Sequence, residues 1–189
     1  MLKYIPNALT IVRFLLIPFI VIACAQGQYI LAIVILTISG LTDVLDGTIA
    51  RKFNLISDFG KLMDPLADKA TQVSLLTTLC IKGMIPLWIL VIVILKEFFM
   101  VSGASFLYGK ELVVSSKWYG KLATVLFYLA MVLSLLIQNI ENAMSRDLSL
   151  IKTTNSILYY LAVITTIASL IMYMKAFCIQ GYLKKEKSE

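Results

Sequence analysis

Six apolar runs of roughly twenty residues, separated by short polar breaks, constrain this chain more than any other feature. They fall at about 6–25, 29–50, 62–81, 86–108, 119–140 and 153–178. A run of that length as a helix matches the ~30 Å apolar thickness of a bilayer. Inside lipid every backbone N–H and C=O must be satisfied within the segment, so helices are the natural form for six such runs. Composition agrees: 60% of the residues are hydrophobic and the mean hydropathy is +0.90, against about 45–50% apolar in soluble domains. The expected fold class is therefore all-α, a polytopic membrane protein with six transmembrane helices. With 189 residues a single transmembrane domain, 1–189, is expected, with no room for a further soluble one.

Several function classes drop out early. There is no histidine, so histidine catalysis and histidine-ligated zinc are excluded. Cys24, Cys80 and Cys178 stand far apart in apolar stretches, as small buried hydrophobes do. The net charge is +6, but the basic residues cluster at the ends of the apolar runs rather than on a nucleic-acid-binding face, so no nucleic acid partner is expected. Lys3, Arg13, Arg51, Lys52, Lys61, Lys69, Lys110, Lys117, Lys121, Lys175, Lys184, Lys185 and Lys187 would share one side of a six-span topology. Only Lys82, Arg146 and Lys152 would lie on the other. The positive-inside rule then places both termini in the cytoplasm, together with the loops 51–61 and 109–121, in the cell (cytoplasmic) membrane. Lys3, the run after it and Ala23-Cys24-Ala25 also resemble a cleavable leader. Asn7, Thr10 and Arg13 interrupt that run on one helical face, which fits a retained helix with a polar inner side.

The acidic residues carry the chemistry. Five of eleven lie between positions 43 and 68, and carboxylates in membrane helices are costly and usually functional. Asp43 and Asp46 are spaced i, i+3 at the end of the second segment. Asp64 and Asp68 are spaced i, i+4 at the start of the third. Each pair shares a helix face. A short loop makes the two helices antiparallel neighbours, so both pairs sit at one membrane depth and can face each other. Carboxylates this close need cations, and an oxygen-only set suits magnesium, manganese or calcium. Asp58 lies apart, as a cap for the third segment. Gly47, Ala50 and Gly60 leave space beside the carboxylates, and Arg51 offers a guanidinium fork suited to phosphate.

Asp43-x2-Asp46-Gly47-x2-Ala50-Arg51-x8-Gly60-x3-Asp64-x3-Asp68 fixes eight positions across 26 residues. It resembles the signature of the CDP-alcohol phosphatidyltransferase family without a departure. The resemblance implies a homodimer with a cytoplasm-facing cavity that moves a phosphatidyl group from CDP-diacylglycerol to an alcohol and releases CMP. It implies that Asp43, Asp46 and Asp64 bind metal, two Mg2+ or Mn2+ ions. Asp68 would complete that site and act as general base. Gly47, Ala50 and Gly60 would admit cytidine, and Arg51 would hold phosphate, with Arg13 a further diphosphate contact.

Outside the signature, Pro6-Asn7-x2-Thr10-x2-Arg13 and Asp64-Pro65-Leu66-Ala67-Asp68-Lys69 resemble the branch of the family that uses glycerol 3-phosphate, the phosphatidylglycerophosphate synthases. Later stretches depart from it: Lys96 stands where that branch has arginine, and Ala123 where it has a second lysine. A dianionic acceptor needs fixed positive charge, for which Lys96, Lys117 and Lys121 are the candidates. Lys117 and Lys121 equally fit plain orientation signals, and Lys96 equally fits a structural pair with Glu97. Other acceptors in the family lead to cardiolipin, phosphatidylinositol phosphate or phosphatidylserine. A divalent-cation transporter would use the same carboxylates, but it needs no phosphate clamp and would line both membrane halves. A non-catalytic scaffold leaves the clustering of the aspartates unexplained.

Overall fold

A computed structural model describes the backbone of residues 5–52, 58–107, 118–144 and 148–185, and side chains within 10–43, 48, 63–64, 66–99, 122–143, 148–172 and 174–175. Among the described residues the chain is all helical. The helices are α1 (Ile5–Ala25), α2 (Tyr29–Lys52), α3 (Asp58–Ile81), α4 (Leu87–Leu107), α5 (Trp118–Met144) and α6 (Ser149–Lys185). α3, α5 and α6 run four or more residues past the apolar segments that mark them. α3 opens at Asp58, four residues before the third apolar run, because Asp58 and Lys61 interrupt the apolar pattern without ending the helix. α5 continues to Met144, and α6 spans 37 residues, about 55 Å at 1.5 Å per residue. That is longer than a bilayer's apolar layer, and it carries Lys184 and Lys185 into the helix.

Among the described residues, two helices are long and apolar enough to cross a membrane, at Leu122–Ala143 and Ser149–Met172. Shorter apolar stretches cover Thr10–Ala25 and Tyr29–Asp43.

Apolar side chains cover the outside of these helices as well as the inside, and some polar ones are buried. On α1, Ile11, Val12, Leu15, Phe19 and Ile22 face outward, while Thr10 and Arg13 are buried. On α2, Ile30, Leu31, Val34, Ile38 and Leu41 are exposed and Ser39 is buried. An apolar outer surface around polar interior positions is what a lipid environment selects, since a soluble surface does not carry such continuous apolar stripes.

Contacts divide the chain into two compact units. The first comprises residues 1–86 and 131–151. In it α1 packs against both α2 and α3. Ala23, Ala32 and Ala67 are buried, and such small side chains let helices approach closely where lipid gives little hydrophobic drive. Leu36, Leu75, Leu76, Leu79, Met131 and Leu135 fill the remaining core. Thr71, Thr77 and Thr78 donate their hydroxyls to carbonyls of their own helix, Ala67, Val73 and Ser74, so they leave no donor unsatisfied.

Two tight turns set the helix directions. After α1, Gln28 N–H bonds Ala23 C=O and Gly27 N–H bonds Cys24 C=O. After α3, Met84 N–H bonds Leu79 C=O and Gly83 N–H bonds Cys80 C=O. Both are Schellman caps, and both need the left-handed glycine they contain, with φ of 78° at Gly27 and 71° at Gly83. The Lys82 ammonium lies 3.5 Å from the Tyr29 hydroxyl and 5.4 Å from its ring centre. The start of α2 therefore meets the end of α3, and the two helices are antiparallel.

The second unit comprises residues 87–130 and 152–189. Ile89, Leu90 and Val93 of α4, Ala123 and Phe127 of α5, and Tyr159, Ala162 and Val163 of α6 are buried there. Trp88 stacks on Tyr160 at 5.9 Å with 8° between the rings.

Candidate active site

The polar stripe of α1 holds the acidic residues of α2 and α3. Arg13 is almost wholly buried, its side chain 2% exposed. One terminal nitrogen lies 2.6 Å from Asp43 Oδ1 on α2. The other donates to Asp68 Oδ1 on α3 at 3.1 Å. Three residues earlier on the same face, Thr10 donates its hydroxyl to Asp64 Oδ1 at 2.6 Å. As α1 advances from Thr10 to Arg13, its partners on α3 advance from Asp64 to Asp68, so α1 and α3 run in parallel.

Three of the four signature aspartates are thus gathered at one end of the first unit. Lys82 and Tyr29 lie fourteen residues farther along α3 and fourteen back along α2, about 21 Å at the helical rise. The carboxylates are not sunk with the arginine. The Asp43 and Asp68 side chains are 41% and 43% exposed, so each has oxygen surface turned away from the guanidinium. A charge-assisted bond at 2.6 Å is strong and orienting, and a buried guanidinium is tolerable only with such partners.

The donor set fits a hard divalent cation. It offers carboxylate oxygens with no sulfur or imidazole, and two of the carboxylates are half open. Among the described residues no three acidic or cysteine side chains converge as a ready-made ion cage. Asp43 and Asp68 meet instead through Arg13. The fourth expected ligand, Asp46, lies in α2, but its side chain is outside the described residues, as are those of Ala50 and Arg51. Gly47 lies in α2 and Gly60 in α3, their surroundings likewise outside them.

Of the lysines expected at the acceptor, Lys117 and the Lys121 side chain lie outside the described residues. Lys96 is buried in the second unit and donates to Glu97 Oε1 at 2.6 Å. Sequence reasoning gave Arg13 a place against the diphosphate, whereas its visible bonds are to Asp43 and Asp68. It gave Thr10 no role beyond a polar face. The i, i+3 spacing of Thr10 and Arg13, matched to the i, i+4 spacing of Asp64 and Asp68, was the signal that could have paired them.

The model of the CDP-alcohol phosphatidyltransferase family matches residues 3–177. The chain belongs to that family. Members of the family generally depend on a divalent metal, and the family together with the apolar helices points to a membrane protein. A CDP-diacylglycerol–glycerol-3-phosphate 3-phosphatidyltransferase of Haemophilus influenzae is 34% identical over 179 residues, 90% of this chain and 91% of the relative. One of Rickettsia felis is 32% identical over 178 residues, 92% of this chain and 95% of the relative. A Drosophila melanogaster relative named "Probable cardiolipin synthase (CMP-forming)" is 42% identical over 103 residues. That match covers 54% of this chain and spans about a third, 32%, of the relative's length.

Proposed function

We propose that this protein transfers the phosphatidyl group of CDP-diacylglycerol to glycerol 3-phosphate, giving phosphatidylglycerophosphate and CMP. The observation that carries this reading is the grouping of Asp43, Asp64 and Asp68 on Thr10 and Arg13, with carboxylate surface left open. The two relatives that match nearly end to end bear the name of that reaction. Residues 1–189 act as one catalytic domain of six spans, a homodimer in the cytoplasmic membrane with termini and site in the cytoplasm.

In this mechanism the donor's acyl chains stay in lipid and its diphosphate lies over the carboxylates. Gly47, Ala50 and Gly60 leave room for cytidine, and Arg51 forks onto phosphate. Asp43, Asp46, Asp64 and Asp68 would hold divalent metal, which when bound would neutralise charge gathering on the diphosphate. Asp68 accepts the proton of the acceptor's primary hydroxyl. The freed oxygen forms a bond to the β-phosphorus as the bond to the CMP oxygen breaks, CMP leaves as an anion, and Asp68 returns its proton to water. Lys96, Lys117 and Lys121 are the groups that would meet the acceptor's phosphate.

A second acceptor, a glycerol-containing lipid leading to cardiolipin, is favoured by the 42% identity to the Drosophila relative. The bond from Lys96 to Glu97 also lowers the free charge that Lys96 can offer a dianion. Competition decides between them. Protein in mixed micelles with CDP-diacylglycerol should keep making its product from glycerol 3-phosphate when phosphatidylglycerol is added in excess. Product lipid that switches to cardiolipin would assign the second acceptor.

A further inference from the structure

We propose that Arg13 is a positioning residue that assembles the carboxylate site before any metal arrives, serving as its resident counter-cation. The inference rests on the reading of Asp43 and Asp68 as metal-binding, and its main readout needs neither substrate nor turnover.

Asp43 and Asp68 belong to different helices, yet both present Oδ1 to one guanidinium, at 2.6 and 3.1 Å. Two carboxylates drawn onto one guanidinium repel each other. A cation that arrives and departs cannot be what keeps them together during folding. Arg13 can, because its side chain is 2% exposed and its charge is permanent. Its planar fork also fixes directions. With two nitrogens spent on separate carboxylates, each acid is held at one oxygen while the rest of the group, about two-fifths exposed, remains available. Lysine cannot copy this, since an ammonium is a point charge without the fork. Thr10 extends the arrangement to Asp64 from the same face of α1. The first helix, which contributes no carboxylate, is thus the frame on which the other two present theirs.

The consequence concerns metal dependence of folding, beyond activity. With Arg13 in place the metal-free protein already has part of its cluster's charge offset, so magnesium should raise its melting temperature less than it does without Arg13. Without Arg13 the cluster carries uncompensated charge, and divalent ions must do the work of the lost cation. Ligand that binds only the folded state stabilises it, and the effect is larger the more the metal-free state is strained.

The test uses the full chain purified in detergent, melted with EDTA and with saturating Mg2+. Arg13→Met should melt roughly 10 °C below the parent in EDTA, and Mg2+ should restore at least half of that loss. Arg13→Lys should keep most of the metal-free stability while transferring more slowly, since it supplies charge without the fork. If Arg13→Met does not fold in EDTA, Arg13→Met with Asp43→Asn provides the same decision. Removing one carboxylate with the cation should recover stability that the single change loses. An equal Mg2+ shift in parent and Arg13→Met, or a double variant no more stable than the single one, overturns the proposal and leaves Arg13 as packing. These outcomes are independent of which alcohol the enzyme uses.

Discussion

Thr10 donates its hydroxyl to Asp64 at 2.6 Å across 54 positions of sequence, tying the first turns of α1 to the acidic start of α3. A hydrogen bond to a charged group contributes about 1.5–3 kcal/mol. Thr10→Val keeps the shape and removes the donor, so kcat/KM for CMP release should fall roughly tenfold or somewhat more. Thr10→Ser should retain most of the activity. An unchanged rate in Thr10→Val would show that Asp64 needs no such anchor.

Asp68→Asn removes the proton acceptor while nearly preserving shape. General base catalysis contributes about 10²–10⁴-fold, so turnover at saturating Mg2+ should drop by at least a hundredfold. CDP-diacylglycerol binding should persist. Near-normal turnover would remove Asp68 from the base role.

The site was legible in part from spacing alone. The i, i+3 and i, i+4 aspartate pairs and the short link between their helices suffice to put them on facing antiparallel helices, and the structure runs α2 and α3 that way. The part contributed by α1 was harder to see. Arg13 in a membrane helix reads naturally as a phosphate ligand, and nothing local says that its partners lie 30 and 55 positions on. Long-range pairing depends on the rotation of α1 about its axis, which the buried Ala23, Cys24 and Ile20 set and which hydropathy does not encode. The start of α3 at Asp58 agrees with the reading of that residue as its cap, although the apolar run itself begins only at 62.

Gly27 sits at φ 78° in the cap that ends α1. A Cβ there meets no neighbouring atom, so the cost of Gly27→Ala is conformational, about 1 kcal/mol. That corresponds to a fall of roughly 2–4 °C in melting temperature for a chain of this length. Activity at low temperature should not change, because the cap lies at the far end of the helices from the carboxylates.

Lys96→Met should be far more damaging than its distance in sequence from the signature implies. It removes the ion-pair partner of Glu97, whose side chain is 11% exposed, and breaking a buried pair from one side costs about 3–5 kcal/mol. Lys96→Met with Glu97→Gln should recover most of the stability. In that double variant the KM for glycerol 3-phosphate reports whether Lys96 also meets the acceptor: a rise of tenfold or more assigns it there, and an unchanged KM makes the pair structural.

The central claim is that braced aspartates on α2 and α3 serve phosphatidyl transfer. Purified protein given labelled CDP-diacylglycerol, glycerol 3-phosphate and Mg2+ should form CMP and phosphatidylglycerophosphate in equal amounts. EDTA or Asp43→Asn should abolish both. Metal flux into proteoliposomes with no CMP released under any acceptor would contradict the account.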